Sequence, residues 1–592
     1  MSDIKIGTEN CKLQGLKTLF FEKDGKKQYV HSKYDPIEEA KEWAKATKKE
    51  NPKTTYLIFG GGLLYHIKEL IDLTDELSNV VVVEPDIEVY NIVKCTELFK
   101  ELSKNSQFTY FAYGEIEDFY TNLFGLLSNK NYKNITFAAI NPYDNYFNEY
   151  HEGFIKAIKS HLNSQEIDMN TRNTFIVEHM DNFFSNLLHF KDSKFIMDFR
   201  DIFEGQKAVV VSAGPSLEKN IDQLKGCEDR LIIVAGGRTL KPLLNRGIRP
   251  HFVVSVDPTI KNFQLFEDAL ESDVPLVLPF LNNKEIAKQY KGNKIFLNNT
   301  GIGGFDSYFF DRHVDTLSVS GTVATMQFSF AEYLGCDEIA FIGQDLAYTG
   351  GKLHADSAAS KGSDNNSVST ENLIKVKGNN EDFVYTDIVF NDYLLALGQI
   401  IEEATEVKSF NCTEGGAYIK GTEVITLKDF LENHTEPGND FNKKINEILS
   451  SNKNHDRTNE IIDKINGLKT ISLTVLKYAK EAQNITEKTI KNKNETEKDT
   501  KKLKKLDNKI NRIANKFEIS SHIAGDMMDA VGNVWIDETK EYSEQMQDIR
   551  KLNRTFYLMV QAVYLSLQKF IDRAFEEYYR ENDLKDKAEA KK

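Results

Sequence analysis

Between residues 208 and 345, short apolar runs follow one another at helix-length intervals. They read AVVVSAG (208–214), LIIVAGG (231–237), FVVSVDP (252–258), VPLVLP (274–279), KIFLNN (294–299), DTLSVSG (315–321) and EIAFIGQD (338–345). Short Val- and Ile-rich runs that lack polar alternation are strands covered on both faces, and the segments between them are long enough for helices. Repetition of this kind folds as an open, mostly parallel sheet. Most of the runs close on Gly, Asn, Asp or Pro. Ligands of such sheets bind beyond the strands' C-terminal ends, so the closing residues are the first site candidates.

The same grammar appears once before. TYLIFGGGLLYHIKEL (55–70) reads as strand, glycine turn and helix, VVVVEPD (80–86) as the next buried strand, and NITFAAINPY (134–143) as a later one. The glycine turn with Glu84 at the end of the following strand has the outline of a dinucleotide fingerprint. Gly60–Gly62 is not a full GxGxxG, however, and a purely structural turn accounts for it. Past about residue 428 strands vanish. Leu503, Leu506, Ile510, Ile513 and Phe517 share one helical face, as do Phe556, Met559, Val560, Val563, Leu567 and Ile571. The expected architecture is α/β in three parts: a Rossmann-like domain over 1–165, a helical connector and central α/β domain over 166–428, and a helical domain over 429–592.

Charge narrows the partners. The net charge of −15 argues against a nucleic-acid binder, which needs a basic footprint. The Lys-rich stretch near 501 is punctuated by Asp and Glu and reads as a solvated helix face. The five cysteines lie far apart without a CxxC pair, which fits a reducing compartment and neither a zinc site nor a disulfide framework. No apolar run reaches the ~20 residues that span a bilayer, and the N-terminus lacks a signal peptide's apolar core. A cytoplasmic protein is expected. No metal-ligand spacing is recognisable, and no metal is assigned.

The AGPS turn (213–216) is the sharpest local feature. Gly214 allows close backbone approach, and Pro215 suits a first helical turn. Ser216 places a hydroxyl beside free N–H groups that attract phosphate, or else it caps the helix; the turn alone leaves both readings open. Asp257 closes a strand and can accept bonds from ribose or base donors. SGT (320–322), GQDLAYTGGKLHA (343–355) and TEGGAYIKGT (413–422) add small, polar, glycine-containing loops.

Together AGPSL, SVDP, SGTVAT, GQDLAYTGGKLHA and TEGGAYIKGT resemble the motility associated factor (Maf) glycosyltransferases. The N-terminal GGGLLYH and VVVVEPD unit and the helical C-terminal region resemble that family's layout too. The resemblance implies transfer of a nonulosonic acid, pseudaminic or legionaminic, from a CMP-sugar donor to Ser or Thr of flagellin. It also implies a sialyltransferase-like central domain and a C-terminal region that recognises flagellin. On this resemblance Gly214, Pro215, Ser216, Ser320, Gly321 and Thr322 face the nucleotide, with Asp257, Asn298 and Asn299 as polar anchors. Tyr348 and His354 would hold the departing phosphate. The sequence departs from the sialyltransferases where their histidine base stands: Tyr385 and Thr386 occupy that stretch. Asp345, His354, Asp387 and Glu414 are the candidate bases by residue type, and Asp387 reads equally as a helix cap.

Two other classes stay open. The same domain type has been grouped with 6-hydroxymethylpterin pyrophosphokinases, which would require ATP and Mg²⁺; no GxxxxGK[ST] is present. A flagellin-binding assembly factor without turnover is the third, favoured by the missing histidine.

Overall fold

The computed structural model describes residues 4–50, 54–75, 78–112, 123, 127, 134–191, 193–302, 304–319, 321–358, 373–451, 457–516 and 541–589. Two compact units emerge, Met1–Thr174 and Phe175–Lys592.

The first unit opens with an antiparallel sheet of β1 (Lys5–Asn10), β2 (Lys17–Lys23) and β3 (Lys26–Tyr29), which has no counterpart among the expected elements. Strands β4 (Thr55–Phe59), β5 (Asn79–Glu84), β6 (Phe108–Ala112) and β7 (Ile135–Ala139) then pair in parallel in the order β6-β5-β4-β7. Residues 56–59 and 80–83 are buried, as an unbroken apolar run on a two-faced strand requires.

The glycine turn after β4 leads into α1 (Tyr65–Leu73). Gly60 and Gly62 hold φ of +82° and +49°, and a Cβ on either would run into Tyr143 or His31. The Glu84 carboxylate accepts the Gly61 N–H (3.1 Å), the Tyr143 hydroxyl (2.9 Å) and the Tyr110 hydroxyl (3.3 Å). Burial pushes Glu84 up to about 8 against those bonds. The glycine amides, the acid and the Tyr143 hydroxyl are therefore bonded to one another inside the fold.

In the second unit a nine-stranded, all-parallel sheet is built from β8 (Lys194–Phe195), β9 (Lys207–Val211), β10 (Ile232–Gly236), β11 (Phe252–Val254), β12 (Leu276–Pro279), β13 (Lys294–Leu297), β14 (Glu338–Ile342), β17 (Lys408–Asn411) and β18 (Thr422–Val424). A separate hairpin pairs β15 (Ile374–Val376) with β16 (Val384–Thr386). The sheet order is β18-β17-β14-β9-β10-β11-β12-β13-β8. Period-two alternation divides β9 between two cores. Val209 and Val211 join one face with Phe183, Phe184 and Leu187, and Ala208 and Val210 join the other with Met326, Phe330 and Leu397.

Over its described residues the run at 315–321 is not a strand. Residues 315–319 form no ladder, and Asn299 holds them with its side chain instead: its Nδ2 donates to Leu317 O (2.9 Å) and its Oδ1 accepts Leu317 N–H (3.1 Å). The segment expected as a third domain shares a core with the sheet. Ile465, Val475, Leu503, Leu506, Ile510, Val560, Val563, Leu567 and Ile571 are buried in the same cluster as Val209 and Val211. Both helical stripes are thus used inside the unit, and Phe517 lies outside the described residues. None of the described helices is long and apolar enough to cross a membrane.

Candidate active site

Chain direction across the large sheet reverses beside β9. Strands β10 to β13 follow on one side of it, while β14, β17 and β18 lie on the other. Loops leaving strands on either side of such a point diverge and open a crevice beyond their C-terminal ends. A cavity of about 240 Å³ occupies that crevice, lined by the ends of β9 (Val211), β10 (Gly236) and β11 (Val254), and by Gly343 just after β14.

The AGPS turn is organised by a long-range partner. Its short helix, α2 (Leu217–Asn220), has Ser216 as N-cap residue without a side-chain capping bond. The Ser216 hydroxyl donates to Asp345 Oδ2 (2.6 Å) and its N–H reaches the same carboxylate at 3.2 and 3.3 Å. Ser216 is fully buried and Asp345 is 2% exposed. A Cβ on Gly214 would collide with the Asp345 carboxylate, so the glycine is there to admit it. Neither expected use of Ser216 is what the geometry holds: the anion at this helix start is the chain's own Asp345. Burial raises the Asp345 carboxyl above its usual value, against the bonds from Ser216. Pro215 lies within this turn, just before Ser216, and does not line the cavity.

The loop after β14 returns over the crevice. Gly350 and Gly351 take φ of +62° and +73°, and Ala355 N–H donates to Ala213 O (2.9 Å). Gln344, Asp345, Leu346, Ala347, Leu353 and His354 become one wall. Burial, with the charge of Arg238 adding to it, lowers His354 to about 4, so its imidazole is neutral at pH 7. Tyr348 sits behind this wall, its ring 5.7 Å from that of Phe390, a lining residue. The Tyr348 hydroxyl donates to Asp387 Oδ2, and burial followed by Asp387 pushes the phenol up to about 12. Asp387 Oδ1 accepts Phe390 N–H (2.7 Å), capping the helix Ile388–Glu403. The cap and the tyrosine together occupy both oxygens of the candidate base.

Other expected residues divide between wall, rim and interior. Thr322 lines the cavity while its hydroxyl accepts Thr325 N–H (3.2 Å), capping the helix Val323–Tyr333. Gly321 holds φ of +70° against the Tyr393 ring; Ser320 lies outside the described residues. Asp257 is exposed, accepts Thr259 N–H (2.7 Å) and does not line the cavity. Asn298 accepts from the Thr300 hydroxyl (2.7 Å), and like Asn299 it serves the local backbone away from the cavity. Glu414 contributes its carbonyl oxygen to Lys219 (2.6 Å), not its carboxylate to the cavity.

The expected list omits several lining residues. Arg238 follows the AGG turn of β10, and its Nη1 donates to Ala358 O (3.3 Å). Gln327 donates to Val234 O (2.9 Å) and Val211 O (3.3 Å), bridging adjacent strand ends. Asn262 donates to Asp257 O (2.7 Å) and Ser255 Oγ (2.9 Å), fixing the SVDP turn. The run LIIVAGG did signal a turn at Arg238. Gln327 and Asn262 sit on helices whose position depends on the tertiary fold.

Two other places invite a ligand. His31, Glu39 and His66 bring ligand atoms within 4.8 Å of one another. His31 Nε2 accepts Leu63 N–H (2.7 Å), which leaves the proton of the neutral ring on Nδ1, so neither nitrogen offers a lone pair to a metal. A hollow of about 590 Å³ beside Lys501, Lys504, Lys505, Lys509 and Arg512 lies on the C-terminal helices, away from every strand end.

Residues 181–351 match the family described as MptE-like, 6-hydroxymethylpterin diphosphokinase MptE-like. No curated protein sequence matches. Among solved structures, that of the MAf glycosyltransferase from Magnetospirillum magneticum AMB-1 is similar, with a TM-score of 0.54 and 13% identity over 98% of this chain and 95% of that one. Residues 181–351, which include strands β8 to β14 and most of the cavity lining, are thus similar to the MptE-like family, and the fold is shared with a Maf glycosyltransferase.

Proposed function

We propose that this protein is a glycosyltransferase that moves a nonulosonic acid from a CMP-linked donor to Ser or Thr hydroxyls of flagellin. The observation that carries the reading is the position of the cavity at the sheet's switch point, with Arg238 as the one cationic side chain among its described lining residues. Asp345 is the one carboxylate among its described lining residues, and that group is bonded to Ser216. Arg238, His354, Ser212 and Thr322 add side chains that carry hydrogen-bond donors to the same lining. One cation and a single, already bonded carboxylate among the described lining residues suit an anionic ligand better than a cation.

In transfer, negative charge gathers on the departing phosphate while the sugar becomes oxocarbenium-like. Donors fixed in advance at that phosphate lower the barrier without reorganising. His354, neutral at pH 7 and part of the cavity wall, is the side chain placed nearest that role in this reading. Tyr348, which keeps its proton, shapes the wall through Phe390 and Asp387. Phosphotransfer to a pterin is less well supported, because Mg²⁺-dependent chemistry needs free carboxylates beside the phosphates and the cavity's own is committed. Calorimetric titration tests the reading: CMP is expected to bind more tightly than AMP, and preferential binding of ATP with Mg²⁺ would contradict it.

A further inference from the structure

We propose that Arg238 is the residue that reads the negative charge of the donor, and that it sets this site's preference for an anionic over a neutral ligand. The inference rests on the reading of the cavity as the donor site and names what confers its charge selectivity.

Arg238 lies one residue into the helix Gly237–Asn245, immediately beyond β10. Gly236, Gly237 and Arg238 all line the cavity, so this turn brings backbone and guanidinium to the ligand space together. The turn is held rigidly. Gly236 N–H donates to Thr239 Oγ1 (3.0 Å), Thr239 Oγ1 donates to Val211 O (3.2 Å), and a Cβ on Gly237 would strike the Phe266 ring. Among the described lining residues Arg238 is the one cationic side chain, because His354 beside it is neutral. Burial works against the guanidinium charge. An anion entering the cavity relieves that cost and accepts from a planar fork of N–H donors, the geometry suited to phosphate or carboxylate.

The donor offers two such anions, the nucleotide phosphate and the sugar carboxylate, and binding measurements separate them. Purified full-length protein is titrated with CMP and cytidine, and with N-acetylneuraminic acid and its methyl ester. The wild type is expected to prefer the charged member of at least one pair by about tenfold or more. Arg238→Gln is expected to bring that ratio close to one, while Arg238→Lys, which keeps the charge but not the fork, retains part of it. Loss in the first pair alone assigns the phosphate, and loss in the second assigns the carboxylate. Thermal melts of each variant check that the fold persists. CMP bound with an unchanged preference in Arg238→Gln would overturn the assignment and leave the proposed function standing. A wild type that binds none of the four ligands contradicts the proposed function, and this inference with it.

Discussion

The Ser216 hydroxyl donates to Asp345 Oδ2 at 2.6 Å across 129 residues of sequence, joining the turn after β9 to the loop after β14. That bond ties the AGPS turn to Asp345, a lining residue of the cavity. The turn's glycine makes room for the carboxylate, and its serine satisfies it.

Removing the hydroxyl leaves a buried carboxylate short of one donor, a loss of about 1–3 kcal/mol for such groups. Ser216→Ala is therefore expected to lower the urea midpoint. The effect should depend on pH. Asp345 already has a raised folded-state pKa, so its contribution to stability falls as pH rises from the unfolded value through the folded one. Loss of the Ser216 donor raises that pKa further, and the variant is expected to be less impaired near pH 4 than at pH 7. An equal deficit at both would show that the bond does not govern Asp345.

Glu84 offers the same logic in the first unit. Its folded pKa of about 8 lies above the unfolded 4.5, so stability from this group is full below 4.5 and lost as pH rises towards 8. Glu84→Gln, whose carbonyl can still accept from Gly61, Tyr143 and Tyr110, is expected to flatten the pH dependence over that window. Hydrogen exchange at Gly61 and Gly62 between pH 5 and 8 is the readout. An unchanged slope in the variant would count against Glu84 as its source.

His354 predicts proton uptake on binding. Its value of about 4 reflects burial and then the Arg238 charge. An anionic ligand offsets the second of these causes and raises the imidazole, so CMP binding near pH 5.5 is expected to take up more of a proton in the wild type than in His354→Ala. Calorimetry in two buffers of different ionisation enthalpy measures it. Cytidine is expected to show less of that difference; equal uptake in the wild type and His354→Ala would point to another group.

Much of the fold is legible in the sequence because β9 to β14 are buried on both faces and read as short apolar runs. The two-residue β8, the mixed KSFN of β17 and the half-exposed β18 carry no such signal. The exception at 315–321 is instructive. Its composition is strand-like, yet Asn299 pairs with Leu317 in place of a ladder, an arrangement that depends on where β13 ends. The first three strands escape notice because their pairing is antiparallel and their exposure mixed. In the site, loop position correctly brings Gly214, Thr322, Asp345 and His354 to one cavity. The direction each side chain faces was not legible: Ser216 turns to a residue far along the chain, and Asp387 divides its oxygens between a helix cap and Tyr348.

Tyr348→Phe separates the wall from the chemistry. It removes the bond to Asp387 but keeps the ring beside Phe390, so CMP affinity is expected to change less than threefold. Because the hydroxyl is committed to Asp387, turnover is expected to stay within a few-fold of wild type. A fall of about 10²-fold, the usual cost of one transition-state donor, would contradict that placement. A turnover equal to wild type would confine Tyr348 to packing.

The intact mass of flagellin, co-expressed with this protein and a pathway that makes a CMP-nonulosonic acid, tests the central claim most directly. The account predicts a mass increase by one or more whole nonulosonic acid residues, reduced in Arg238→Gln and in Gly214→Ala, whose Cβ would displace Asp345. Flagellin of unmodified mass beside folded, CMP-binding wild-type protein would contradict it.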